Sequence, residues 1–340
     1  MKVGIIGFGV VGKKRYASIL ENTSYTVDAI SENNSLARKD IPLNIEIFED
    51  YQVLIDSAKV DIVFISLPNK FAAEATALSL KKGLHVFCEK PPAKTLAELN
   101  TVKAISDMFP DLKLMYGFNH RFHNSVEKAK SIIQNNTLGN LINMRGVYGK
   151  SQMISFNQDD WRTRREDSGG GILLDQGIHM LDLIRYLSGE SFTQIFSFID
   201  NAFWNFDVED NAYVLMKSSR GIVAQLHSSA TQWRHLFNLE ITMEKGSLIL
   251  GGILTGSKSY GEETLTIITA DPKNDRGAPH EATSKFNKDV SWDNEIKYFA
   301  DCLANNSAIK RGSIDDAIET MKLIEAIYKA APIWKKKYYT

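Results

Sequence analysis

At 340 residues the chain is longer than a single typical domain, so two domains are expected. Forty basic against forty-one acidic residues leave a formal net charge of -1, which offers no broad electrostatic footprint for nucleic acid or an anionic membrane. Cys88 and Cys302 are too few for a disulfide framework or a structural zinc site, and no apolar run reaches signal-peptide or membrane-span length, so a cytoplasmic protein without a metal is expected.

In chain order, Val3–Ile6, Tyr25–Ile30, Asp61–Leu67, Leu84–Cys88 and Lys113–Phe118 read as strands. Between them Val11–Leu20, Phe71–Lys82 and Thr95–Met108 carry helical patterns. This alternation predicts an α/β fold: an N-terminal Rossmann domain over 1–120 with a doubly wound parallel sheet. From about Gly139 the pattern changes. Leu141–Tyr148, Phe192–Phe198, Ala212–Lys217, Ile222–His227, Phe237–Met243 and Leu265–Thr269 read as strands with turns between them. They predict a second α/β domain over 121–340 with a large open, mostly antiparallel sheet. One strong helix, Ile172–Leu187, interrupts this run and stops at Ser188-Gly189. Trp292, Ile296, Phe299 and Leu303 recur at helical spacing, and Ser313-Ile314-Asp315-Asp316 has the form of a capping box. These last helices are free to pack back on the first domain.

Gly7-Phe8-Gly9-Val10-Val11-Gly12 is a Gly-x-Gly-x-x-Gly that follows a strand and opens a helix. Glycines there allow a tight turn and a close backbone approach, so a pyrophosphate can rest on the helix N-terminus. About 20 positions on, Ser31-Glu32 stands where an acidic residue is expected to hold ribose hydroxyls. A carboxylate repels a 2′-phosphate, which favours NAD, although Ser31 tolerates NADP. Lys13, Lys14 and Arg15 lie near the phosphate end or form a solvated helical turn.

Two further stretches carry chemistry. Glu89-Lys90-Pro91 ends a strand and puts a lysine at the carboxyl edge of a parallel sheet, where doubly wound folds bind ligands. Such a lysine can stabilise charge developing on a substrate oxygen, or it is a surface residue before a proline turn. After Gly169-Gly170-Gly171, Asp175 and His179 fall at i and i+4 on one helix face, with Asp182 beyond. Imidazole is suited to accept a hydroxyl proton near neutral pH, and a buried histidine satisfied by Asp175 is the equal alternative on this stretch alone.

Together, the Gly7–Gly12 loop, Leu67-Pro68-Asn69, Glu89-Lys90-Pro91, Asn119-His120-Arg121-Phe122, Trp161-Arg162, the triple glycine and Asp175-x-x-x-His179 resemble the Gfo/Idh/MocA oxidoreductase family. The resemblance covers nearly the whole chain. It implies hydride transfer at a secondary alcohol or ketone of a sugar, polyol or nucleotide sugar, with Lys90 and His179 as the catalytic pair. Asp175 is implied to contact substrate or orient His179. Leu67, Pro68, Asn69, Glu89 and Asn119 are implied beside the cofactor, and Asn119, Arg121, Trp161 and Arg162 along the substrate. The chain departs from the family pattern at Ala72, often a histidine, and at Ser31, often an aspartate. Arg121, Arg162, Arg164 and Arg165 could clamp a phosphate or carboxylate, or they are surface charges. One face of the second sheet is expected to be buried in a homodimer or homotetramer. Two other functions stay open: a lyase-type glycosidase using tightly held NAD transiently, and a non-catalytic dinucleotide-binding regulator.

Overall fold

Six parallel strands form the first sheet: β1 (Lys2–Ile6), β2 (Thr26–Ser31), β3 (Glu46–Phe48), β4 (Ile62–Ile65), β5 (His85–Glu89) and β6 (Leu114–Gly117). Their order is β3-β2-β1-β4-β5-β6, so the winding reverses between β1 and β4, the point where such sheets open a ligand crevice. The run Ile62-Val63-Phe64-Ile65 is buried throughout, as a central strand covered on both faces requires. The short β3 was not anticipated. Its three residues are largely exposed and carry no alternation.

This computed structural model describes residues 1–152, 161–255 and 259–338. The chain divides into two discontinuous units. The first holds Met1–Asn119, Glu166–Gly169 and Trp292–Ile318; the second holds His120–Arg165, Gly170–Ser291 and Glu319–Thr340.

The second unit is built on eight strands: β7 (Leu141–Gly149), β8 (Phe192–Asp200), β9 (Asn211–Ser218), β10 (Val223–Ser229), β11 (Leu236–Met243), β12 (Gly246–Gly251), β13 (Glu263–Thr269) and β14 (His280–Phe286). The order is β14-β13-β12-β11-β7-β10-β9-β8, and every pairing is antiparallel except the parallel β7–β10. Alternation along β9 from Ala212 to Ser218 gives this strand one buried and one open face. The helix Ile178–Ser188 packs on β7 and β10, and Gly189, at φ +68°, ends it in the left-handed conformation that favours glycine. In the first unit, Ser313 caps the helix Ile314–Ala330: its hydroxyl accepts from the Asp316 amide at 3.1 Å while Asp316 accepts from the Ser313 amide at 3.2 Å. Among the described residues, no helix is long and apolar enough to cross a membrane.

Candidate active site

In the first unit the loop after β1 turns on Gly7, whose φ of +87° is left-handed. A side chain at Gly7 would meet the Ser66 carbonyl at 2.5 Å, and one at Gly12 would meet the Gly7 carbonyl at 2.0 Å. These two glycines therefore seat the loop on β4 and on its own helix. Gly9 differs, because a Cβ there would find nothing within 4 Å. The open position adjoins the start of the helix Val10–Asn22, whose first amides receive no side-chain cap. This open turn with uncapped helix amides fits the pyrophosphate of a dinucleotide.

Beside it stands Glu32. One carboxylate oxygen accepts from the Phe8 amide at 2.7 Å and the other from the Asn34 amide at 2.9 Å. A negative charge is thus fixed at the end of β2, where a 2′-phosphate would meet repulsion. The three basic residues that follow have partners within the protein. Lys13 pairs with Asp40, Lys14 lies 4.0 Å over the Trp292 ring, and Arg15 is fully buried between Glu89 and Glu295.

Glu89 and Lys90 sit at the carboxyl end of β5, with Lys90 half-buried before a cis peptide to Pro91. Pro68 precedes the helix Asn69–Lys81. The Asn69 side-chain Nδ2 donates to the Ser168 carbonyl at 2.7 Å, and Lys70 pairs with Asp167 at 2.7 Å. Asn69 therefore anchors the approach to the triple glycine. At Gly169, also left-handed at φ +82°, a Cβ would strike the Lys94 carbonyl at 2.3 Å.

In the second unit, Gly170 makes room for the Tyr328 hydroxyl and Gly171 for the Glu209 backbone. Glu209, fully buried, accepts from the Gly171 amide at 2.8 Å, the Leu173 amide at 3.0 Å and the Tyr328 hydroxyl at 2.8 Å. Burial raises its carboxyl pKa while these three donors oppose the rise. The cap opens a π-helical turn, Leu173–Gly177, that runs directly into the helix Ile178–Ser188. Asp175 lies on the turn and His179 one residue into the helix.

Asp175 meets two cations, Lys150 at 2.9 Å and Arg162 at 3.7 Å. Arg162 also lies over the Trp161 ring at 4.5 Å. The His179 ring stacks on His120, with centroids 3.7 Å apart and planes within 15°. His120 Nε2 is 3.1 Å from the Tyr148 hydroxyl, and burial holds that phenol in its neutral form. Tyr260 is likewise pushed up to about 12 by burial and accepts from Gln176 at 2.5 Å. His123 pairs with buried Glu263 at 2.8 Å. Burial works to raise that carboxyl, yet His123 and Ser125 outweigh it and hold it below the usual range.

Arg121, expected along the substrate, is turned to a different partner. It is 1% exposed and grips Asp182 through Nε and Nη2 at 2.7 and 2.6 Å. Arg165 lies over the rings of Tyr328 and Trp334. Of the four arginines expected as an anion clamp, Arg162 lies 3.7 Å from Asp175. Lys150, His120, Tyr148, Gln176 and Glu209 join the neighbourhood without having been singled out as site residues. Lys150 follows a strand with no motif around it, and Glu209 is distant in sequence from the turn it caps. Among the described residues, no group of three or more His, Cys, Asp or Glu is arranged to hold a metal ion.

Comparison with known proteins adds the lineage. Residues 1–112 match the family model described as oxidoreductase family, NAD-binding Rossmann fold, and residues 126–249 match that of the GFO/IDH/MocA C-terminal domain. D-glucoside 3-dehydrogenase of Escherichia coli is 32% identical over 197 residues, covering 56% of this chain and 54% of that protein. The chain thus spans about half the length of that relative. Myo-inositol 2-dehydrogenase of Thermotoga maritima is 26% identical over 295 residues, covering 82% of this chain and 80% of that protein. A levoglucosan dehydrogenase structure in complex with NADH superimposes with a TM-score of 0.85 at 22% identity, covering 98% of this chain and 97% of that one; at this identity the likeness shows the fold.

Proposed function

The chain belongs to the Gfo/Idh/MocA oxidoreductases, whose two family models together match more than half of it, and from that premise we propose that it transfers hydride between NAD and a secondary alcohol or ketone of a sugar-like substrate. The observation that carries this reading is Lys90 at the carboxyl end of β5, in the same unit as a glycine cradle left open at Gly9. The relatives named for glucoside and inositol dehydrogenation support a polyhydroxylated substrate.

When bound, NAD supplies the hydride acceptor. The Gly7–Gly12 amides would hold its pyrophosphate and Glu32 a ribose hydroxyl, with Leu67, Pro68, Asn69, Glu89 and Asn119 on the nicotinamide side. His179 takes the proton of the substrate hydroxyl, and its ring is kept in one orientation by the stacked His120. Lys90 steadies the negative charge that grows on the same oxygen. Asp175 offers a carboxylate to a neighbouring hydroxyl, with Lys150 holding it in place. Trp161 and Arg162 complete the substrate side. Reduction of a ketone uses the same groups in reverse.

The proposal extends to assembly and setting. A second copy of the chain covers the open face of the second sheet, where Phe196 pairs with Leu215 and Phe198 with Tyr213, all four exposed. The protein works in the cytoplasm, where two free buried cysteines are at home.

Nicotinamide absorbance, followed while the protein is mixed with NAD or NADP and a panel of glucosides, inositols, sugar acids and nucleotide sugars, tests the reading. Turnover of at least one polyol with NAD preferred is expected. Dinucleotide binding without turnover of any member would overturn it.

A further inference from the structure

Behind the Glu89-Lys90 strand end lies a second ionisable cluster, wholly within the first unit. Arg15 is fully buried, and its guanidinium is sandwiched between the Phe87 ring at 4.4 Å and the Trp292 ring at 4.2 Å. Its Nε donates to Glu89 Oε1 at 2.6 Å and its Nη2 to Glu295 Oε2 at 2.6 Å. The β6 backbone seals the pocket: a Cβ on Gly117 would lie 2.8 Å from Glu89 Oε2 and 3.2 Å from Arg15 Nη2. Two carboxylates therefore share one fully buried guanidinium. Ionised together they would outnumber that one guanidinium by a negative charge in a buried place, which is disfavoured.

The two carboxylates are not equivalent. Glu89 keeps 14% of its side chain exposed, whereas Glu295 has none. Glu295 Oε1 has no hydrogen-bond partner among the described residues, a position that suits a neutral acid better than an anion. Burial pushes the Glu295 carboxyl up to about 8; Arg15 and Arg311 pull against the rise, and Glu89 adds to it. The groups facing Glu295 are Arg15 from the glycine-loop helix, Glu89 from β5 and Arg311 from the segment before the last capped helix. Asp293, on the same helix as Glu295, is turned to Ser18 and Asn22. With Glu295 protonated, Arg15 and Glu89 cancel. With it ionised, these three groups sum to one negative charge, which Arg311 opposes from outside the triad.

We propose that Arg15, Glu89 and Glu295 form a charge-setting triad, in which one proton on Glu295 sets how strongly the protein prefers oxidised over reduced dinucleotide. The inference rests on the cofactor reading above. Oxidised nicotinamide carries a positive charge that the reduced ring lacks, and Glu89 sits at the strand end expected to face it. Loss of the Glu295 proton adds negative charge and favours the oxidised form. By reciprocity, the oxidised form promotes release of that proton. Glu295 touches neither substrate nor cofactor; its role is to set charge through Arg15 and Glu89.

The dissociation constants of NAD and NADH, measured by titration calorimetry from about pH 6.5 to about pH 9.5 at low salt, test this directly. A unit charge within about 20 Å acting through an effective dielectric of about 20 changes such a ratio roughly threefold or more. In the unaltered protein, the NADH-to-NAD ratio of dissociation constants should rise by at least that much with pH. In Glu295→Gln it should stay flat at the low-pH value. A flat ratio in the unaltered protein, or the same rise in Glu295→Gln, would overturn the triad. Should that variant not fold, repeating the NAD titration near pH 8 in buffers of different ionisation enthalpy decides instead: NAD binding must release protons that NADH binding does not, and equal proton counts overturn the proposal. Failure to bind either dinucleotide at any pH would instead refute the cofactor reading on which the triad depends.

Discussion

Lys13, Lys14 and Arg15 are consecutive, yet burial and partners give them separate fates. Lys13 is held by Asp40 at the surface, Lys14 rests on Trp292, and Arg15 lies in the core with two carboxylates. In the sequence they read alike, near a phosphate or along a solvated helical turn, because both partners of Arg15 are remote: Glu89 is 74 positions away and Glu295 is 280. The buried Glu295 also makes a stability prediction. Its carboxyl sits near 8 in the folded protein and near an ordinary value of about 4.3 when unfolded, so folding strengthens proton binding. The associated stability is complete below about pH 4 and is lost as pH rises through about 8. The urea midpoint of the unaltered protein should therefore fall between about pH 5 and about pH 8.5 more steeply than that of Glu295→Gln. Parallel slopes would show that Glu295 is ionised throughout.

The helix Ile178–Ser188 and the turn before it are only partly legible in the sequence. Asp175 and His179 were visible at helical spacing, and Ser188-Gly189 marked the end of the helix. The π turn Leu173–Gly177 was not, because the donors that shape it converge on Glu209, 34 residues beyond Asp175, and one of them is Tyr328 near the other end of the sequence. The triple glycine was recognised as a motif, but its reason is spatial. Each glycine faces something different: the Lys94 backbone, the Tyr328 hydroxyl and the Glu209 backbone. Three donors meet one carboxylate at Glu209, so Glu209→Gln turns an amide NH₂ against a donor and should cost about 1–3 kcal/mol of stability. Amide exchange over residues 171–179 should rise and turnover should fall while NAD affinity is unchanged. Unaltered exchange across that stretch would contradict the capping role.

At the scale of the whole molecule, the alternation of short apolar runs and helical patterns predicted both sheets and the parallel character of the first. Missing were the short or polar strands β3, β12 and β14, and the parallel β7–β10 pairing. Glu46-Ile47-Phe48 is too short to alternate, and His280–Phe286 is mostly polar, with Ala282 and Phe286 its apolar residues. Pairing direction is set by connections that a single sequence does not display. The exposed Phe196, Phe198, Tyr213 and Leu215 form an apolar end to the open sheet face, and a second copy is proposed to cover it. Phe198→Asp should then shift the protein toward monomer in light scattering at unchanged secondary structure. A monomeric unaltered protein, or an assembly indifferent to that change, would refute the proposed interface.

The central claim joins Lys90 to His179 as the groups that handle one substrate hydroxyl. Once a turned-over polyol is in hand, kcat for Lys90→Ala and His179→Ala, measured beside the NAD dissociation constant of each variant, tests it most directly. A fall of about 10²-fold or more in kcat for each, with NAD affinity within about threefold of the unaltered protein, is the predicted result. Near-normal turnover in either variant would contradict the assignment, and loss of NAD binding in His179→Ala would make that residue structural.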